Sequence, residues 1–137
     1  MTVARTLPAE LASRFAAAPR LVARAEAASF EAVVAERFLL RLRGLSGLGR
    51  GDVVPLLFPR CRSLHTFGMR AAIDVVWLDV GDDGEATVLA VTEALPPRRT
   101  ARTPSGADRQ RTAALELPAG DAATLGLTPG DRVTLSR

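Results

Sequence analysis

The sequence predicts a single globular domain that is mainly β (α+β), and three observations carry that expectation. From Val53 onward, short apolar segments alternate with glycine, proline and aspartate turn residues. The chain has 137 residues, enough for one domain that buries roughly two thirds of the surface its unfolded form exposes. A hydrophobic fraction of 47% with 24% charged residues is ordinary for a globular protein, and no apolar run approaches the ~20 residues of a membrane-spanning helix.

Composition also bounds function. All 18 basic residues are arginine, and lysine, asparagine and tyrosine are absent. The missing types have AT-rich codons, so a GC-rich genome explains the bias better than a selected guanidinium surface. Net charge is only +3, which weakens any reading of the high isoelectric point as nucleic-acid affinity. The amino terminus lacks an apolar core followed by a small-residue cleavage site, and one cysteine forms no internal disulfide; a cytoplasmic location is expected.

Taken in order, residues 6–18 place Leu7, Leu11 and Phe15 at four-residue spacing behind Thr6 and Pro8. This predicts a short N-terminal helix, ended by Pro19. Residues 1–20 are therefore expected to be a helical extension and residues 21–137 a single β-rich domain. Leu21 to Ala28 alternates Leu21, Ala23, Ala25 and Ala27 against Arg24 and Glu26, which suits a strand; its alanines leave helix open. Ser29 can cap a helix over about 29–43, with a buried stripe of Phe30, Val34, Phe38, Leu42 and Leu45 and a stop at Gly44. The glycines from Gly44 to Gly51 do not lead from a strand into a helix, as a phosphate cradle requires, and read as a connection.

The β segments are Val53–Phe58, Ile73–Val80, Ala86–Leu95, Ala113–Leu117 and Arg132–Leu135. Pro55 argues that the first is an edge strand or contains a bulge. Gly81-Asp82-Asp83-Gly84 reads as a hairpin turn, and Pro96 to Arg111 as a long exposed loop. A short helix is expected at about 119–125, with Thr128-Pro129-Gly130-Asp131 turning into the last strand.

Three separated blocks, RLRGLSG at 41–47, HTFGMRAAIDVVWLD at 65–79 and LELPAGDAATLGLTPGDRV at 115–133, resemble the family called domain of unknown function 192, an uncharacterised bacterial and archaeal group. The resemblance spans roughly residues 29–135. It implies a compact, barrel-like or sandwich-like antiparallel sheet domain with a helix near its start and a short helix between its last strands. It implies no established activity, cofactor or catalytic set. Met69, Arg70, Ile73, Asp74 and Asp79 keep the outline of the family's central block, His65-Thr66-Phe67 stand where it carries aromatics, and Ala71 and Ala72 replace a polar pair.

The segment from Cys61 to Asp79 holds the only cysteine, histidine, tryptophan and isoleucine. Cys61, His65 and Met69 fall at four-residue intervals, a soft-metal donor set. On a helix each step would be about 6 Å, but on a strand roughly 13 Å, too far to share an ion. Pro59, Thr66, Phe67 and Gly68 disfavour helix, so neither metal nor cofactor is expected. His65 is the side chain with an unperturbed pKa near neutrality, and Asp74 or Glu116 can orient it if the protein does acid–base work. Both acids interrupt apolar strands. An unpartnered buried carboxylate is expensive, so each needs a partner, for which Arg43, Arg62 and Arg70 are candidates.

The expected function is a small binding or accessory module for a small ligand or protein partner, with His65, Met69, Asp74 and Glu116 beside a polar pocket. A His65 enzyme is the first alternative. The second is an anion or nucleic-acid binder using the loop around 98–111, which carries Arg98, Arg99, Arg102, Arg109 and Arg111 against Asp108. That loop lacks interleaved aromatics, so nucleic acid is not the favoured partner and no membrane is expected. This second alternative requires a continuous arginine surface joining the loop to Arg60, Arg62 and Arg70.

Overall fold

A computed structural model describes residues 2–3, 18–35 and 53–137. Its strands are β1 (Thr2–Val3), β2 (Arg20–Arg24), β3 (Ser29–Val34), β4 (Leu56–Phe58), β5 (Ser63–His65), β6 (Ile73–Val80), β7 (Glu85–Leu95), β8 (Thr100–Arg102), β9 (Thr112–Pro118) and β10 (Arg132–Ser136). One short helix, α1 (Asp121–Thr124), precedes β10. Seven strands close into a barrel in the order β3-β2-β10-β7-β6-β9-β4, the parallel pairing of β4 with β3 completing the ring. β1 adds to β3 in parallel, and β5 pairs with β8 as a separate ribbon.

Period-two patterning builds the barrel. β2 and β3 turn Leu21, Ala23, Phe30, Ala32 and Val34 inward, where they meet Leu57, Val76, Leu78, Leu115 and Leu117. Ala122, Leu125 and Leu127, on and just after α1, join this interior. A second apolar layer forms outside the barrel wall. Leu56, Phe58, Ile73, Val75, Trp77 and Ala114 face outward there and pack with Val53, Cys61, Leu95 and Ala101. β6 is thus buried on both faces, which is why it reads as a nearly continuous apolar run.

The helix expected at about 29–43 is overturned over its first part, because residues 29–34 form β3. Phe30 and Val34 are four apart, a spacing that satisfies a helical face and an alternating strand equally. Glu31 exposed between buried Phe30 and Ala32 is the strand's signature. The remainder of that helix, and all of the helix expected over 6–18 except Ala18, lie outside the described residues; within the helical extension expected over 1–20, Thr2–Val3 form β1 and Arg20 begins β2. Pro55 precedes β4, which has neighbours on both sides and is no edge; the Pro55 carbonyl accepts from the Val33 amide at 3.0 Å. The loop expected over 96–111 contains β8. The 81–84 hairpin and the short helix stand where the turn and helix signals put them.

Candidate functional site

Asp74 and Glu116 lie on neighbouring strands but on opposite faces. The register pairs Asp74 with Leu117 and Val75 with Glu116, so successive side chains diverge across the sheet. Asp74 is 1% exposed, and its carboxylate is occupied by backbone donors rather than by the arginine expected. The Ala94 amide donates to Oδ1 at 2.9 Å; the Gly120 and Ala122 amides each donate to Oδ2 at 3.0 Å. Ala94 sits at φ 49°, a left-handed residue within β7, and Gly120 at φ 93° leads into α1. Asp74 therefore ties an irregular strand to the helix start, the two places where the ladder leaves amides unpaired.

Glu116 faces the outer apolar layer. It is 5% exposed, its Oε2 has no hydrogen-bond partner among the described residues, and burial pushes its carboxyl from an ordinary 4.5 up to about 8. Trp77, paired with Ala114, stands one diagonal step away on the same face; its Nε1 is also buried and has no partner among the described residues. Neither Arg62 nor Arg70 reaches these acids: both are exposed, and Arg43 is outside the described residues.

His65 ends β5 on the ribbon, with its side chain exposed. Its Nδ1 accepts from the Phe67 amide at 3.3 Å, and the two rings lie 5.3 Å apart at 45°. Among the described residues no carboxylate bonds to it. Met69 packs against the outer layer and Cys61 is buried within it, so Cys61, His65 and Met69 do not share a face. Among the described residues no three histidine, cysteine, aspartate or glutamate side chains form a metal-binding group. The four residues expected around one pocket are therefore distributed: Asp74 under α1, Glu116 and Met69 in the outer layer, and His65 on the surface.

The structure brings four of the expected arginines together, while Arg70, Arg98, Arg99 and Arg111 do not line the same groove. β5 and β8 pair Ser63 with Arg102, and the Thr103 amide donates to the Arg62 carbonyl at 2.9 Å, which sets the 60–63 strand end against the 102–109 loop. Between them lies an open groove of about 560 Å³ bearing Arg60, Arg62, Arg102 and Arg109. Its remaining lining residues are neutral, including Ser63, Thr103 and Ser105. None of the four arginines forms an ion pair among the described residues, and Thr103 Oγ1 is a buried hydroxyl without a partner. Arg111 is excluded from this set: its Nε and Nη2 hold Asp79 at 3.0 and 3.1 Å. Clustered arginines on either side of Cys61 and after Thr100 were the visible signal; their convergence depends on strand pairing.

The family described as DUF192, an uncharacterized ACR, matches residues 21–135, and the chain belongs to it. No curated protein matches. A crystal structure of a protein of unknown function from Novosphingobium aromaticivorans shares the fold with TM-score 0.59 and 21% identity, over 83% of this chain and 82% of that one. A second, from Sinorhizobium meliloti and provisionally assigned as a transcription regulator, has TM-score 0.62 and 20% identity, over 85% and 92%. At these identities both likenesses show the fold alone. No described helix is long and apolar enough to cross a membrane.

Proposed function

We propose that this member of the DUF192 family is a small binding module, acting in the cytoplasm, whose ligand is a small anion held in the arginine groove. One observation carries the reading: four unpaired guanidinium groups line one concave surface that has no acidic lining residue among those described. Like charges gathered without a counter-charge raise the local potential, and an anion that enters relieves it. Arginine's planar fork suits phosphate and carboxylate oxygens, which it can bind in pairs. A volume of about 560 Å³ falls in the range of small-molecule sites.

Calorimetric titration of the full chain with inorganic pyrophosphate at low ionic strength tests the reading. Binding should weaken steeply as salt is raised, and Arg62→Glu with Arg102→Glu should abolish it while leaving the thermal midpoint near that of the parent. Absence of binding at low salt, or binding unchanged in the double variant, refutes it.

A further inference from the structure

We infer that the anion taken by this groove carries a planar aromatic ring, as a nucleoside diphosphate does, and that Phe67 is the platform on which the ring stacks. The inference rests on the groove being an anion site and adds the chemistry of the ligand's other half. Phe67 is 57% exposed, and among the described residues it is the large hydrophobic side chain left in water. An aromatic ring so placed on a rigid support is a stacking surface rather than a misplaced core residue.

The support is specific. Thr66, beside it, is 0% exposed, and its hydroxyl donates to the Pro96 carbonyl at 2.6 Å and accepts from the Arg99 amide at 2.9 Å. Its own amide donates to the Arg99 carbonyl at 2.8 Å, and its carbonyl accepts from Met69 and Arg98. This set ties the Phe67 turn to the start of the arginine loop, where Arg98 and Arg99 are exposed. The aromatic companion that the loop lacks in its own sequence arrives from thirty residues earlier.

The ribbon then connects ring and groove. Ser63, His65, Thr100 and Arg102 are exposed, while Leu64 and Ala101 pack against the barrel wall. The outward face thus runs from Arg102 and Ser63 at the groove to His65 and Phe67, with Ser63 and His65 about 7 Å apart along the strand. With the 5.3 Å from the His65 ring to the Phe67 ring added, the span from groove to platform is roughly 12 Å, the order of an extended nucleoside diphosphate from terminal phosphate to base. Because His65 Nδ1 accepts from the Phe67 amide, the neutral ring carries its proton on Nε2, a donor directed away from that contact. One exposed ring offers a place for one base, whereas a single strand needs successive platforms; the geometry favours a mononucleotide over a nucleic-acid strand.

The experiment compares adenosine diphosphate, inorganic pyrophosphate and a tetranucleotide of deoxythymidine on the parent chain and on Phe67→Ala and Phe67→Trp variants. Adenosine diphosphate should bind the parent about tenfold or more tighter than pyrophosphate. Phe67→Ala should erase that advantage without altering pyrophosphate affinity, and Phe67→Trp should keep it. If pyrophosphate binds but adenosine diphosphate gains nothing, or the gain survives Phe67→Ala, the ring assignment falls and the anion groove stands. If neither ligand binds the parent, the groove falls as well. A tetranucleotide binding more than tenfold tighter than adenosine diphosphate overturns the mononucleotide class.

Discussion

Replacing Glu116 with glutamine should stabilise the protein, and by an amount that depends on pH. In the unfolded chain the carboxyl titrates near 4.5; in the folded protein, burial in the outer layer raises it to about 8. Between these values the native state holds a proton that the unfolded state has released, so stability falls as pH rises. The contribution is intact below pH 4.5 and lost by pH 8, at about 1.4 kcal/mol per pH unit. The accumulated loss is about 3 kcal/mol at pH 7 and about 4 kcal/mol at pH 8, where the folded carboxyl is itself half ionised, large against the 5–15 kcal/mol total of an ordinary domain. Glutamine keeps the shape and does not titrate. Urea denaturation of the parent and Glu116→Gln, followed by fluorescence of the single tryptophan, Trp77, should give similar midpoints near pH 5 and a widening gap toward pH 8. Subtracting the variant removes the contributions of other titrating groups. A stability difference that stays flat from pH 5 to pH 8 refutes the assignment of a neutral, unpartnered carboxyl.

Asp74→Ala leaves three amides without their acceptor and should cost about 2–4 kcal/mol, read as a lower urea midpoint with faster hydrogen exchange at Ala94, Gly120 and Ala122. Asp74→Asn, with one carbonyl oxygen in place of two carboxylate oxygens, should fall between. Gly84→Ala should destabilise by about 1–3 kcal/mol in thermal unfolding, because φ is 84° and the new methyl would lie 2.6 Å from the Leu135 carbonyl oxygen. Arg111→Ala breaks a half-exposed pair with Asp79; it should shift stability by less than about 1 kcal/mol and leave pyrophosphate titration unchanged. Thr66→Val removes the hydroxyl between Pro96 and Arg99 and should loosen the Phe67 turn, seen as lost exchange protection at the Arg99 amide while the barrel amides stay protected.

Much of the β character was legible because alternation is written locally. Ile73–Val80 coincides with β6, and the segments at 86–95, 113–117 and 132–135 fall inside β7, β9 and β10. The first error came where local signals are degenerate: Phe30 and Val34 satisfy both periods, and only the ladder to β2 and β4 selects the strand. Asp74 and Glu116 were both correctly marked as unusual acids in apolar strands, yet their roles differ for a reason no local pattern contains. One faces amides freed by a helix start and a bulge; the other faces the outer apolar layer, to which a ribbon distant in sequence contributes Leu64 and Ala101.

The sequence by itself determined the family, the mainly β class, most strand positions and the presence of arginine-rich stretches, all of which depend on near neighbours along the chain. Tertiary structure alone decided which side chains meet. The register of β6 against β9 placed Asp74 and Glu116 on opposite sides of one wall, and pairing of β5 with β8 drew Arg60, Arg62, Arg102 and Arg109 around one groove with Phe67 at the ribbon's far end. Strand register acts between segments separated by tens of residues; periodicity records which residues of one strand share a face, but not which strand lies opposite them.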